Sequence, residues 1–132
     1  MATRLMTALA LLAFAAAPAL ADPVEGLWRT GLNDAGNFAH VRIAPCGAAL
    51  CGILAGAFDG SGRPIERPNA NAVIVQGMQP TGGGAYAGGT ITDPQAGRTY
   101  RAHMALSGDR LRVSGCVAGG LLCRSQDWAR VE

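Results

Sequence analysis

The sequence predicts an all-β protein, a small antiparallel eight-stranded up-and-down barrel with two hairpin disulfides. Three observations predict it. Apolar and polar residues alternate at period two in short runs after residue 22, while helical periodicity is weak. Clusters of Gly, Pro, Asn and Asp separate those runs at short intervals. Four cysteines fall in two local pairs, each bracketing a turn of small residues.

Taken in order, Glu25–Thr30 reads as a first strand. Asn37–Ala44 is a second, with Asn37, Ala39, Val41 and Ile43 on one face and Phe38, His40 and Arg42 on the other. Leu50–Ala55 is a third, followed by Gly56–Asn71, the one long loop, rich in Gly, Pro and Asn. Ala72–Gly77 carries Val73, Ile74 and Val75, and Ala85–Thr92 follows the Gly82-Gly83-Gly84 breaker. Asp93-Pro94-Gln95-Ala96-Gly97 suits a type I turn with a left-handed residue at its end. Arg98–Leu106 places Arg98, Tyr100, Ala102, Met104 and Leu106 on one face. Ser107-Gly108-Asp109 turns the chain into Arg110–Val117, where Leu111, Val113 and Val117 oppose Arg110, Arg112 and Ser114. Gly119-Gly120 then leads into a last strand near Leu122–Val131. A meander of about eight strands in so short a chain is best closed, because closure removes exposed edges. Such a barrel is filled by side chains or holds one small ligand.

The N-terminus fixes the expected compartment. Arg4 precedes an apolar run from Leu5 to Ala17, broken only by Thr7, and Ala19-Leu20-Ala21 has the small-x-small form of a signal-peptidase site. Residues 1–21 are therefore expected to be a cleaved signal peptide, and 22–132 a single β-barrel domain in the periplasm or secreted. The run is short for a membrane span. No Cys follows the cleavage site, so neither lipid anchoring nor membrane insertion after cleavage is expected.

Composition excludes more than it assigns. Once Arg4 is removed, ten Arg face nine acids with no Lys and no run of either sign. This argues against nucleic acid and against anionic membranes as partners. Only Trp28, Phe38, Phe58, Tyr86, Tyr100 and Trp128 are aromatic beyond the leader, so the core must be built largely from small and aliphatic residues.

Four cysteines allow three pairings, and sequence alone does not choose between them. Context favours neighbours, Cys46 with Cys51 and Cys116 with Cys123, each pair clamping the mouth of a hairpin. The gaps of four and six residues fit structural zinc poorly, export favours oxidation, and a C-x-x-C redox pair is absent. No metal and no cofactor are expected.

Gly26-Leu27-Trp28 in the first strand and Trp128-Ala129-Arg130 in the last resemble the ends of calycin (lipocalin-like) barrels. These carry Gly-x-Trp first and a late basic residue over that Trp. The physical sense is closure, with a guanidinium stacked on an indole face. A fuller resemblance covers nearly the whole exported chain. Gly52-Ile53, Gly88-Gly89-Thr90-Ile91, Asp93-Pro94 with Gly97 and Tyr100, Leu111-Arg112-Val113-Ser114-Gly115, and Ser125-Gln126 with Trp128 and Arg130 are similar to the exported bacterial family called domain of unknown function 2147. That resemblance implies a small exported β-barrel and no catalytic residues. It assigns Gly26, Trp28, Trp128 and Arg130 to barrel closure.

Candidate chemistry is sparse. His40 and His103 are the only histidines, each on a polar strand face with no nucleophile or acid beside it in sequence. The acids are scattered, so no carboxylate pair is visible. Asp59-Gly60-Ser61-Gly62 lacks the further carboxylates of a calcium loop, and the Gly clusters lack the Lys-Ser/Thr of a phosphate loop. The expected function is non-enzymatic: a monomeric binding module for a small ligand, with ligand-binding residues unassigned. The alternative is a protein-protein module, such as an inhibitor of a cell-wall lytic enzyme, touching its envelope partner through Ser61-Gly62-Arg63. An open, partly apolar lumen would favour the first; a filled barrel with a rigid protruding loop would favour the second.

Overall fold

The computed structural model describes Thr3, residues 21–67 and residues 69–132. The expected signal peptide, residues 1–21, lies outside the described residues apart from Thr3 and Ala21. Eight antiparallel strands run in chain order around a closed barrel: β1 (Gly26–Arg29), β2 (Phe38–Cys46), β3 (Ala49–Phe58), β4 (Val73–Gly82), β5 (Ala85–Asp93), β6 (Arg98–Ser107), β7 (Arg110–Val117) and β8 (Leu122–Arg130). Each strand pairs with the next, and β1 pairs with β8 through Trp28 opposite Arg130 and Arg29 opposite Ala129.

The strands depart from the sequence reading mainly at their ends. β2 continues through Pro45 to Cys46, because its hairpin partner stays in register down to Ala49. β3 runs on to Phe58, past the expected stop at Ala55. A bulge between His40 and Val41 and their β3 partners absorbs Ala55, and pairing then resumes. The long loop is accordingly shorter, residues 59–72, and is tied back by a bridge between Phe58 and Pro64. β4 extends to Gly82, leaving Gly83-Gly84 as a two-residue turn in which both glycines have positive φ. A 3₁₀ turn, Ala118–Gly120, replaces a plain turn before β8.

Inward side chains alternate along every long strand and meet on the barrel axis. Trp28, Val41, Ile43, Met78, Met104 and Leu111 are fully or almost fully buried. One expected face differs. Phe38 points outward from β2 yet is buried, because it stacks on Phe58 with ring centroids 5.2 Å apart. His40 joins them at 4.5 Å from the Phe58 ring, and Arg29 covers Phe38 at 4.0 Å. The outer surface there is thus an aromatic and cationic cluster rather than a simple polar face.

The cysteine pairs sit at opposite ends of the barrel. Cys46 and Cys51 are bonded across the β2–β3 hairpin, and Cys116 and Cys123 face each other across β7–β8 with a Cα separation of 4.0 Å.

Candidate functional site

An up-and-down barrel has two ends, and here they are built differently. At one end the chain entering β1 forms a plug. Asp22–Glu25 makes a turn in which the Glu25 N–H donates to the Asp22 carbonyl at 2.9 Å, and Val24 is fully buried. Three side chains hold it through four hydrogen bonds. The Trp28 indole N–H donates to the Val24 carbonyl at 2.8 Å. Arg130 donates from Nη1 to the Glu25 carbonyl at 3.1 Å and from Nη2 to the Pro23 carbonyl at 2.6 Å. The Tyr86 hydroxyl donates to the Asp22 carboxylate. Burial, and next that carboxylate, raise the Tyr86 phenol well above its ordinary pKa, so it remains a donor. Arg130 also lies 4.4 Å above the Trp28 ring and pairs with Asp109 at 3.2 Å. Gly26 is required at this end: its φ is +138°, and a Cβ there would strike the Glu132 carbonyl.

The other end is open. Its mouth lies among the β1–β2, β3–β4, β5–β6 and β7–β8 connections and leads into a cavity of about 340 Å³. The floor is apolar: Leu54, Ile74, Ile91, Val113 and Trp128. Trp128 is nearly buried, and its indole N–H donates to Gln126 Oε1 at 2.7 Å. The rim is polar, with Asn33, Asn37, Tyr100, Gln126 and two arginines, Arg67 from the long loop and Arg124 from β8. One carboxylate, Asp93, also lines it, but its Oδ1 accepts the backbone N–H groups of Gln95 at 2.9 Å and Ala96 at 3.2 Å. Gly115 faces Arg124 across β7–β8, and a Cβ there would come within 3.3 Å of Ile91 and 3.5 Å of Tyr100. The glycine keeps the throat open at that level.

Of the residues singled out in the sequence, the structure gathers Gly26, Trp28 and Arg130 at the plugged end and places Trp128 in the floor of the open cavity. Trp128 lies two residues before Arg130 on β8 and shares one core cluster with Trp28. Missing from the sequence reading were Arg67, Arg124, Gln126 and Tyr100 as a rim. For the β8 members the signal was present: Leu122, Arg124, Gln126 and Trp128 share one face at period two, so two polar residues point toward the lumen in series with a core Trp.

The histidines do not converge on a catalytic arrangement. Burial, with help from Arg29 and opposed by Glu132, holds His40 below its ordinary pKa within the outer aromatic cluster. His103 does have a neighbour that local sequence hid, since its Nδ1 lies 3.8 Å from Cys116 Sγ. His103, Cys116 and Cys123 together satisfy the distances of a three-ligand group. Both sulfurs are spent on their mutual bond, however, and a disulfide sulfur is not the thiolate that binds metal. In the long loop, Asp59 Oδ1 accepts from the Ser61 N–H at 2.9 Å, the Ser61 hydroxyl at 2.6 Å and the Arg63 N–H at 3.0 Å. The Ser61 hydroxyl chiefly, and the Arg63 amide next, lower the Asp59 pKa. That carboxylate serves its own turn.

A larger hollow of about 650 Å³ lies outside the barrel, lined by β6, β7 and the 3₁₀ turn. It covers a ligand from one side only, so the inner cavity, walled by inward side chains from β2 to β8, is the better site. Among the described residues no helix is long and apolar enough to cross a membrane.

Comparison with known proteins agrees with the barrel. The family described as "Uncharacterized protein conserved in bacteria (DUF2147)" matches residues 26–130. A solved structure, protein HP1028 from Helicobacter pylori, described as belonging to the lipocalin family, superposes with a TM-score of 0.65 at 17% identity, covering 82% of each chain. No curated protein matches the chain.

Proposed function

The chain belongs to the bacterial DUF2147 family, and from its open calyx we propose that it is an exported, non-enzymatic, monomeric binding module for a small ligand. The observation that carries the reading is the asymmetry of the two barrel ends. One is sealed by Val24, Trp28 and Arg130, while the other opens onto an apolar floor ringed by polar side chains. Apolar walls with a few convergent polar groups are the usual composition of a small-molecule site, and about 340 Å³ lies at the small end of the range for such pockets. Two disulfides and the leader-like residues 1–21 support export. Likeness of fold to a lipocalin-family protein supports a binding role.

The test is native mass spectrometry on protein purified from its own periplasm. Wild type should retain a small non-covalent adduct, and Gly115→Trp, which fills the throat beside Ile91 and Tyr100, should lose it. An adduct retained unchanged by Gly115→Trp would place the ligand elsewhere. The second reading, an inhibitor of a cell-wall lytic enzyme, draws support from the ordered, exposed turn at Asp59–Arg63. It expects Arg63→Ala to abolish capture of such an enzyme while leaving the calyx adduct intact.

A further inference from the structure

Resting on the calyx as the binding site, the geometry points to a small anionic amphiphile as its ligand, its carboxylate or phosphate head held at the rim by Arg124 and Arg67 and its apolar body on the Trp128 floor. Three observations carry this. First, the charge at the mouth is unbalanced. Arg67 and Arg124 both line it, and among the described residues neither is in an ion pair. Asp93, the one acid of the lining, already accepts two backbone N–H groups of its own turn. Arg42, Arg110, Arg112 and Arg130 have carboxylate partners, and of the arginines without one among the described residues only Arg67 and Arg124 line this cavity.

Second, Arg124, though exposed to solvent, is directed into the cavity mouth. It lies on the inward face of β8 in series with Gln126 and Trp128, opposite a glycine. A cation aimed into the mouth of a cleft with an apolar floor focuses its field on an entering anion. Its planar fork of donors matches an oxyanion bidentately, and a second guanidinium from the long loop would close on the same head.

Third, size limits the ligand. At roughly 30 Å³ per non-hydrogen atom, the share of one water in the liquid, about 340 Å³ holds on the order of a dozen such atoms. That accommodates a short-chain or single-ring acid and excludes a full-length diacyl lipid. The head must lie at the rim and the body below it, because the polar lining is confined to the mouth and Leu54, Ile74 and Val113 lie deeper.

The experiment is calorimetry and Trp fluorescence on the exported protein with three probes of similar length: octanoate, hexyl phosphate and octan-1-ol. The acids should bind at least about tenfold more tightly than the alcohol, the scale of one charge-assisted hydrogen bond. Arg124→Gln should bring the acids down to the affinity of the alcohol, Arg124→Lys should recover part of the difference, and added salt should narrow it. The ratio of octanoate to hexyl phosphate separates the two head groups. Equal binding of acid and alcohol, indifferent to Arg124, overturns the anionic assignment while leaving the calyx in place. Failure of all three probes, in protein that still yields an adduct sensitive to Gly115→Trp, overturns this inference alone. Loss of that adduct test overturns the calyx reading itself.

Discussion

Trp28 and Arg130 show how much one pair of side chains can close. Trp28 is fully buried, accepts Arg130 on its ring at 4.4 Å, and donates to the plug at Val24. Trp28→Ala should cost about 3–5 kcal/mol, the range for a core Trp. Arg130→Ala removes stacking and two charge-assisted bonds to Pro23 and Glu25, and should cost less, about 2 kcal/mol. Arg130→Lys should restore only part, because one ammonium cannot stack and fork at once. Urea midpoints of the two single mutants and the double mutant check this; simple additivity would show that the contact does not couple them. His40 gives a pH signature at the same scale. Its pKa is lowered in the fold, so just below the ordinary value of about 6.5 the unfolded chain binds a proton that the folded chain does not. Stability should therefore be full above about pH 6.5 and decline as pH falls toward the lowered value. His40→Gln should flatten that slope in urea titrations at stepped pH.

At the scale of the element, β4 and β5 are shaped by glycine at two positions with different reasons. Gly89 is buried against β4, where a Cβ would strike the Gln76 carbonyl and come within 2.9 Å of the Met78 amide. Backbone cannot yield as a flexible side chain does, so Gly89→Ala should destabilise by about 1–3 kcal/mol. Gly83, in the turn between the same strands, has open space around it but a φ of +62°. Gly83→Ala should cost only the left-handed strain, about 1 kcal/mol. Thermal denaturation of the two variants separates close approach from conformation, and equal losses would refute the distinction. On its other side, β5 carries a register shift against β6 between Tyr86 and Gly89.

At the scale of the molecule, the barrel is closed by its shortest seam. β1 and β8 share two register pairs, supplemented by the Leu27 N–H to the Glu132 carbonyl at 2.7 Å and the Val131 N–H to the Leu27 carbonyl at 2.8 Å. β6 and β7 share seven. Amide hydrogen exchange should therefore open Leu27 and Val131 before the facing amides of Met104 and Val113. Uniform protection around the barrel would mean that the plug and Arg130 fully compensate for the short seam.

Much of this was written locally. Period-two alternation in Arg98–Leu106 and Arg110–Val117 set their inner faces, the Asp93–Gly97 composition set its turn, and small-residue spacers set the two hairpins that carry the cysteines. Those features depend on neighbours in sequence, and local sterics and burial suffice to read them. The ends of β3, the outward burial of Phe38, the proximity of His103 to Cys116 and the arginine rim depend on partners far along the chain. Arg67 and Arg124 come from a loop and a strand separated by four other strands, and only closure of the sheet brings them to one mouth. Local patterning dictates an alternating chain that must close, whereas which end is sealed and which charges guard the open one follow from the closed barrel alone, because a cavity belongs to residues that only the completed barrel makes neighbours.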